Sequence, residues 1–202
     1  ERIYFDDPRV RMNMASRMAA RVLGYVTLLV LFALTFTLFI SSAKGLRIAG
    51  FLLGLFVLDR AIHAGEADVP LDELPKEGLV NSARFIRHRT WSVLERALDR
   101  SVMNRSNFFL EMLVLLLSYK EIEDGLARLD IRPDEFRQKA EEFLKEKEEN
   151  ITATATAQPK NVAAHVTTLV NLGFLEAYRF RHRFIENADL FSANAERLST
   201  DI

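Results

Sequence analysis

The stretch VLGYVTLLVLFALTFTLFISSA, residues 22–43, decides how this chain is organised. Its 22 residues carry no charge, and Arg21 and Lys44 flank it. A helix needs about 20 predominantly apolar residues to cross the hydrocarbon core of a bilayer. A core helix of a soluble domain rarely runs this long without a polar face, and the apolar region of a signal peptide is shorter, about 7–15 residues. The stretch therefore predicts a transmembrane helix.

A second, shorter apolar run follows from Ile48 to Leu58. Its 11 residues extend over about half a bilayer at roughly 1.5 Å per residue. The run crosses fully only if Arg47 and Arg60 extend their charged ends to the two interfaces. We therefore expect residues 22–64 to form an anchor of two spans joined as a hairpin. One span followed by an interfacial segment is the alternative.

Gly50 and Gly54 are the predicted helix-packing residues of the anchor. They form a GxxxG spacing in the second run, which allows helix backbones to approach closely in a membrane. The spacing by itself does not distinguish packing against the first span from packing against another copy of the chain.

The positive flanks predict the orientation of the anchor. Residues 1–21 contain five arginines and are interpreted as a basic juxtamembrane segment, whereas only Lys44 and Arg47 lie near the turn between the two runs. Positive flanks stay cytoplasmic. A hairpin returns the chain to the cytoplasm and predicts that everything after it lies on the cytoplasmic side of the cell (inner) membrane. A single span would place the rest of the chain on the other side.

Residues 65–78 read as an acidic linker. Two prolines and five acidic residues stand there against a single lysine, a composition typical of a spacer.

Residues 79–202 show helical periodicity throughout. The first predicted helix carries Ala83, Ile86, Thr90, Val93 and Ala97 at intervals of three or four residues. The next run, FFLEMLVLLL over residues 108–117, is apolar on nearly every face and predicts a central buried helix capped by Ser106 or Asn107.

Helix-start signals predict the elements that follow this central helix. Ser118 and Glu121 fit a capping box, which opens a helix with an apolar face through Leu129. Pro133 suits the first turn of another helix. The threonine-rich residues 150–158 predict a loop. After it, Val162, Val166, Leu169, Val170, Gly173 and Ala177 follow helical spacing, and a shorter helix around Leu190 ends the chain.

The two halves of this region form a weak internal repeat. An offset of 80 residues places Leu94 on Phe174, Ala97 on Ala177 and Leu110 on Leu190. In both halves an amphipathic helix leads through a basic turn, residues 100–105 and 179–183, into a second apolar helix.

In this respect the chain resembles the N-terminal domain of Clp-type AAA+ unfoldases, a tandem repeat of four-helix motifs. VLERAL, FFLEMLVLLL and IEDGLARLDIRPDEF match a full first repeat over residues 79–149, and FLEAYRFRHRFIENADLF matches the opening of an incomplete second repeat over residues 159–202. The histidine of the family's His-Leu-Leu helix is absent, because Phe109 and Asp189 stand in its place.

The resemblance implies an all-α fold and a non-catalytic role. In that family the N-terminal domain recruits protein clients or adaptors to an ATP-driven ring, and the ring makes the protein a homo-oligomer. Because the sequence begins at Glu1 rather than Met, we expect it to be a piece of a longer chaperone or protease subunit. None of its eight glycines begins a GxxxxGK[ST] phosphate loop, so nucleotide hydrolysis is not expected of these residues.

Composition and spacing favour no catalytic, cofactor or metal site. Cysteine is absent, and the four histidines lack HExxH or similar ligand spacing. The 27 basic and 28 acidic residues nearly balance, which argues against a nucleic-acid partner. The residues of a client groove cannot be named from spacing. Two other functions stay open, a membrane-anchored helical scaffold that oligomerises through Gly50 and Gly54, and a pore component.

Overall fold

The computed structural model describes residues 3–63, 67, 69–75, 77–151 and 159–200. The described chain is mostly helical, which confirms the all-α class in its coarse form. Two compact units are present: one is Arg11–Glu66, and the other combines Glu1–Val10 with Ala67–Ile202. We refer to them as the anchor unit and the helical domain.

Two long helices make up the anchor unit. After the short helix α1 (Pro8–Arg11), α2 (Met14–Phe39) begins where the Asn13 side chain accepts a hydrogen bond from the Ser16 N–H at 2.8 Å. Helix α3 (Lys44–His63) returns along it. The most apolar window of α2 has a mean hydropathy of 2.3, and none of that window is buried inside the chain. Within the described residues α2 is the one helix long and apolar enough to cross a membrane, in agreement with the predicted first span.

A close contact joins α2 to α3 at Gly50. A Cβ atom placed there would lie 2.6 Å from the backbone nitrogen of Phe39 and 2.9 Å from the carbonyl carbon of Leu38. At Gly54, one turn further on, a Cβ atom would meet only the Thr35 methyl at 3.3 Å. The GxxxG face thus packs against α2 of the same chain. Whether α3 crosses a bilayer stays a prediction.

Over its described residues, the helical domain consists of six main helices and several short elements. The short elements are the strands β1 (Ile3–Tyr4) and β2 (Val80–Asn81) and two 3₁₀ turns (Leu71–Glu73 and Ser82–Phe85). The helices are α4 (His88–Asn104), α5 (Phe108–Leu116), α6 (Lys120–Arg128), α7 (Pro133–Ile151), α8 (Pro159–Arg179) and α9 (Asn187–Thr200). Helices α4, α5, α8 and α9 surround the main apolar core.

The beginning of the chain differs from the predicted juxtamembrane segment 1–21. β1 pairs in parallel with β2, placing Ile3 beside Val80, and the Phe5 ring lies 6.0 Å from that of Trp91. The Arg9 guanidinium lies over the same Trp91 ring at 5.2 Å. Residues 3–10 therefore belong to the helical domain. Ile3 and Phe5 of this segment pack on the core, a contact that a count of arginines does not predict.

Helix α5 is the central buried helix that its composition predicts, because all nine of its residues are buried. The Asn107 side chain caps it, accepting hydrogen bonds from the N–H groups of Phe109 at 2.9 Å and Leu110 at 3.3 Å. The helix before it begins later than predicted. Ala83 lies in a 3₁₀ turn, and Ile86 is extended because it bridges to Ile185.

The predicted capping box at Ser118 is wrong. The Ser118 hydroxyl donates to the Leu115 carbonyl at 2.6 Å instead, and α6 begins at Lys120. The Glu121 carboxylate accepts a hydrogen bond from Asn187 at 2.8 Å, and Leu129 is exposed. Pro133 does stand at the first position of α7, as predicted.

The predicted loop at residues 150–158 begins late, because α7 continues through Ile151. Residues 152–158 lie outside the described part of the chain. The predicted helical face of the second half is confirmed: Val162, Val166, Leu169, Val170 and Ala177 are buried in α8.

Candidate functional site

Three turns in the described part of the helical domain share one backbone geometry. One follows α6, where Asp130 has φ 62° and Ile131 donates its N–H to the Leu126 carbonyl at 3.0 Å. The other two follow α4 and α8. Arg105 follows α4 in the left-handed conformation with φ 53°, and Arg181 follows α8 with φ 58°. The next residue in each turn donates its N–H to a carbonyl five positions back: Ser106 to Ser101 at 3.1 Å and His182 to Ala177 at 2.9 Å. These bonds satisfy carbonyls at the helix ends as in a Schellman motif. The geometry alone therefore does not single out the two turns that the sequence repeat relates, which we call the first turn (α4–α5) and the second turn (α8–α9).

A buried acid follows each of these two turns and receives a hydrogen bond from it. Glu111 in α5 accepts from the Ser106 hydroxyl at 2.7 Å and from the Asn104 amide at 3.1 Å. Asp189 in α9 lies 2.7 Å from Nδ1 of His182. The first turn thus presents a hydroxyl to its acid and the second an imidazole, so only the second pair includes a side chain that can become cationic.

Asp189 is held in place by the start of its own helix. Its Oδ2 accepts a hydrogen bond from the Glu186 N–H at 2.8 Å, while Oδ1 faces His182. Burial raises the pKa of the Asp189 carboxyl above its ordinary value of 3.8, against the opposing effect of the Glu186 N–H and His182. Asp189 thus links His182 of the turn to the N–H group that precedes α9.

A cavity of about 650 Å³ lies at this second turn. Tyr178, Arg179, Arg181, His182 and Arg183 line it from the turn itself. The predicted linker supplies the remaining wall: Leu71 is buried, donates its N–H to the Arg183 carbonyl at 2.7 Å, and lines the cavity together with Asp72. The acidic linker, predicted to be a spacer, therefore packs on the helical domain over its described part.

The cavity has a strongly cationic wall beside exposed aromatic side chains. Three arginines and a histidine stand there against one carboxylate. Tyr178 and Phe180 keep 62% and 57% of their surface exposed, and the Phe180 ring stacks on His182 with centroids 6.1 Å apart. Guanidinium groups bind carboxylates and phosphates through paired hydrogen bonds. The arrangement suits binding of an anionic ligand with an apolar part.

Within the described residues, no group of three His, Cys, Asp or Glu side chains is arranged to hold a metal ion. The predicted packing residues Gly50 and Gly54 lie in the anchor unit and take no part in the cavity. The sequence shows residues 179–183 as a basic turn but does not show the cavity. Its other wall comes from Leu71 and Asp72, about a hundred positions earlier in the chain.

A scan against models of known protein families gives no match for this chain, and neither do searches of curated proteins and of solved structures. The likeness to the Clp N-terminal domain therefore stays a prediction, based on the order of elements and on the spacing of their apolar residues.

Proposed function

We propose that this chain is the membrane-tethered recognition module of a Clp-like protein-unfolding ATPase. It binds protein clients or adaptors and has no catalytic role of its own. The observation that carries the proposal is the combination of two features in one chain: a helix of 26 residues whose apolar window is unburied, and a distinct compact helical domain in which two helix–turn–helix units each place a buried acid after the turn.

The apolar helix supports the tether. Leucine, valine and phenylalanine side chains along α2 are exposed in the folded chain, which in water would cost about 25 cal/mol for each Å² of apolar surface. A bilayer removes that cost. On the arginine distribution, we place the helical domain on the cytoplasmic side of the inner membrane.

The repeated turns support a recognition role. Two helix–turn–helix units packed around one core create concave surfaces between elements that are far apart in sequence, and such surfaces are where proteins bind ligands. The cavity at the α8–α9 turn is one of them. The same arrangement offers no phosphate-binding loop, which fits a module that delivers clients to an ATPase located elsewhere.

The scaffold alternative has less support. It relies on Gly50 and Gly54 for contacts between copies, yet Gly50 already lies against the α2 backbone of its own chain. The pore alternative needs polar groups facing a channel. The hydroxyls of Thr35 and Thr37 in α2 instead donate to carbonyls one turn back in the same helix, both at 2.8 Å.

In-cell photocrosslinking tests the proposal. A benzoylphenylalanine residue replaces Tyr178 at the cavity, and the same replacement at the exposed Met103 in α4 is the matched control. We expect a high yield of protein adducts from position 178 when cells are irradiated after ATP depletion and a low yield when they are irradiated after ATP is restored, because an active ring removes bound clients before the crosslink forms. Adducts that do not respond to ATP would support the scaffold. A lack of protein adducts would contradict a recognition role.

A further inference from the structure

We infer that the cavity at the α8–α9 turn binds an acidic peptide segment of a protein partner, one that carries an aliphatic or aromatic side chain next to its carboxylates. This inference rests on the proposed recognition function and names the ligand class of the site. It follows from the charges that line the cavity, from their rigid presentation, and from the residues that the chain itself places there.

The arginines supply positive charge that the described residues do not neutralise. His182 already faces Asp189 at 2.7 Å. Arg179 lies 3.8 Å from the Glu176 carboxylate, at the edge of ion-pair distance. In the part of the chain that the structure describes, Arg181 and Arg183 have no carboxylate partner. A ligand that brings carboxylates to this wall gains paired, charge-assisted hydrogen bonds.

The hydrogen-bonded backbone of the turn fixes the positions from which these side chains extend before a ligand arrives. The hydrogen bond from the His182 N–H to Ala177 fixes Arg181 in its left-handed conformation. The Arg183 carbonyl is bonded to Leu71, and its guanidinium lies over the Phe184 ring at 5.3 Å. Preorganised groups lose less freedom on binding, which favours affinity.

The linker indicates what kind of segment fits the cavity. Leu71 and Asp72 place an aliphatic side chain and a carboxylate side by side against the arginine wall. The exposed Tyr178 ring extends the apolar part of the surface. A volume of about 650 Å³ accommodates a few further residues of an extended peptide. A partner segment with the same order, an apolar residue followed by acidic residues, would bind this wall in the way that Leu71 and Asp72 already pack on it.

The first turn provides an internal control. Arg105 has the same left-handed geometry as Arg181, and both side chains are exposed. Arg105 is not among the residues that line the described cavity. A glutamine at either position keeps a long polar side chain and meets the same backbone requirement, so the two substitutions differ mainly in their distance from the cavity.

The experiment measures peptide binding to the full chain in phosphatidylcholine nanodiscs by fluorescence anisotropy. The probe is a labelled peptide of repeated Leu-Asp-Glu triplets, the order found at residues 71–73, and the control peptide repeats Leu-Asn-Gln. We expect the acidic peptide to bind and the neutral one not to. The double substitution R181Q/R183Q should weaken binding about tenfold, from two partly exposed ion pairs, while R105Q leaves the affinity within about twofold. Added salt should weaken binding to the unsubstituted chain more than to the double variant.

Several results would overturn the inference. Equal binding of the two peptides would do so without any protein variant, and so would equal affinity of the R181Q/R183Q and R105Q chains. The site would be assigned to lipid instead if the acidic peptide does not bind and the chain binds vesicles containing one-third phosphatidylserine. That vesicle binding would have to be lost in R181Q/R183Q. If neither ligand binds but crosslinking at position 178 still gives ATP-sensitive protein adducts, the ligand class is wrong and the recognition function stands.

Discussion

Replacing Gly50 by alanine should force α2 and α3 apart. The new Cβ would lie 2.6 Å from the Phe39 nitrogen and 2.9 Å from two atoms of Leu38, whereas ordinary contact begins near 3.4 Å. The helices must therefore separate by about 0.8 Å at this point, because backbone atoms cannot rotate away as a side chain can. Overpacking of this kind costs roughly 1–3 kcal/mol.

A matched substitution removes the effect of helix propensity. Alanine is favoured over glycine inside a helix by up to about 1 kcal/mol, at least in water. Gly24 in α2 has no atom within 4 Å of a built Cβ, so Gly24→Ala receives the propensity gain without a clash. Gly54→Ala meets only the Thr35 methyl at 3.3 Å and should fall between the two. We expect Gly50→Ala to be less stable than Gly24→Ala by about 1–3 kcal/mol.

Unfolding of the hairpin in mixed micelles measures this difference. The chain has no cysteine, so cysteines introduced at the exposed Leu29 and Leu58 accept a donor and an acceptor dye at known positions. Energy transfer is followed as the fraction of dodecyl sulfate rises. If Gly50→Ala unfolds at the same fraction as Gly24→Ala, the close packing of α3 on α2 is wrong.

Three further changes test the helical domain and the tether. The raised pKa of Asp189 means that the folded state holds this proton more tightly than the unfolded state does. The stability of the parent chain relative to Asp189→Asn should therefore decrease as pH rises from 3.8 through the raised pKa. Urea unfolding of both chains at stepped pH measures the difference, and an increase across this window would show that the ion pair with His182 outweighs burial. Asn107→Ala removes the acceptor for two N–H groups of α5 and should lower the free energy of unfolding by about 1 kcal/mol in the same assay. Asn107→Asp keeps an acceptor and should stay near the parent chain. An unchanged unfolding midpoint for Asn107→Ala would contradict the cap. Leu29→Arg places a charge within α2 at a cost of about 2.5–3.5 kcal/mol and should lower the membrane-bound fraction. The equally exposed Leu79→Arg, in the helical domain, should leave that fraction unchanged, and equal effects of the two would contradict the assignment of α2.

Local patterns predict the elements whose formation depends on local sequence. The uncharged run at residues 22–43 predicts α2, and the apolar run at residues 108–117 predicts α5 with its Asn107 cap. The spacing from Val162 to Ala177 likewise predicts the buried face of α8. The apolar residues lie within each element, and the Asn107 cap directly precedes α5, so a local sequence window contains the information.

Long-range contacts explain the failures. β1 forms only because Ile3 meets Val80, and Leu71 packs because its N–H reaches the Arg183 carbonyl. Neither partner is visible in a local window. At Ser118 two local options compete, and the hydroxyl bonds the end of α5 instead of capping α6.

The candidate site depends both on a local sequence pattern and on a long-range contact. Residues 179–183 are recognisable as a basic turn, because the charges are adjacent in sequence. The cavity depends on the tertiary contact of that turn with the linker, which brings Leu71 and Asp72 to it. The composition of that linker predicts a solvated spacer. The burial of Leu71 instead makes the linker part of the cavity wall.

Alkaline extraction of cell membranes tests the central claim, that α2 anchors the helical domain to a membrane. Membranes from cells that express the full chain are washed with carbonate at high pH, which strips peripheral proteins, and are then treated with protease. We expect the chain to stay in the membrane pellet and the protease to cut near residues 11 and 66, the two boundaries of the helical domain. The fragment that begins near residue 67 should then be released with residues 3–10 still bound to it through β1. Recovery of the intact chain in the carbonate supernatant would contradict the tether and the recognition role built on it.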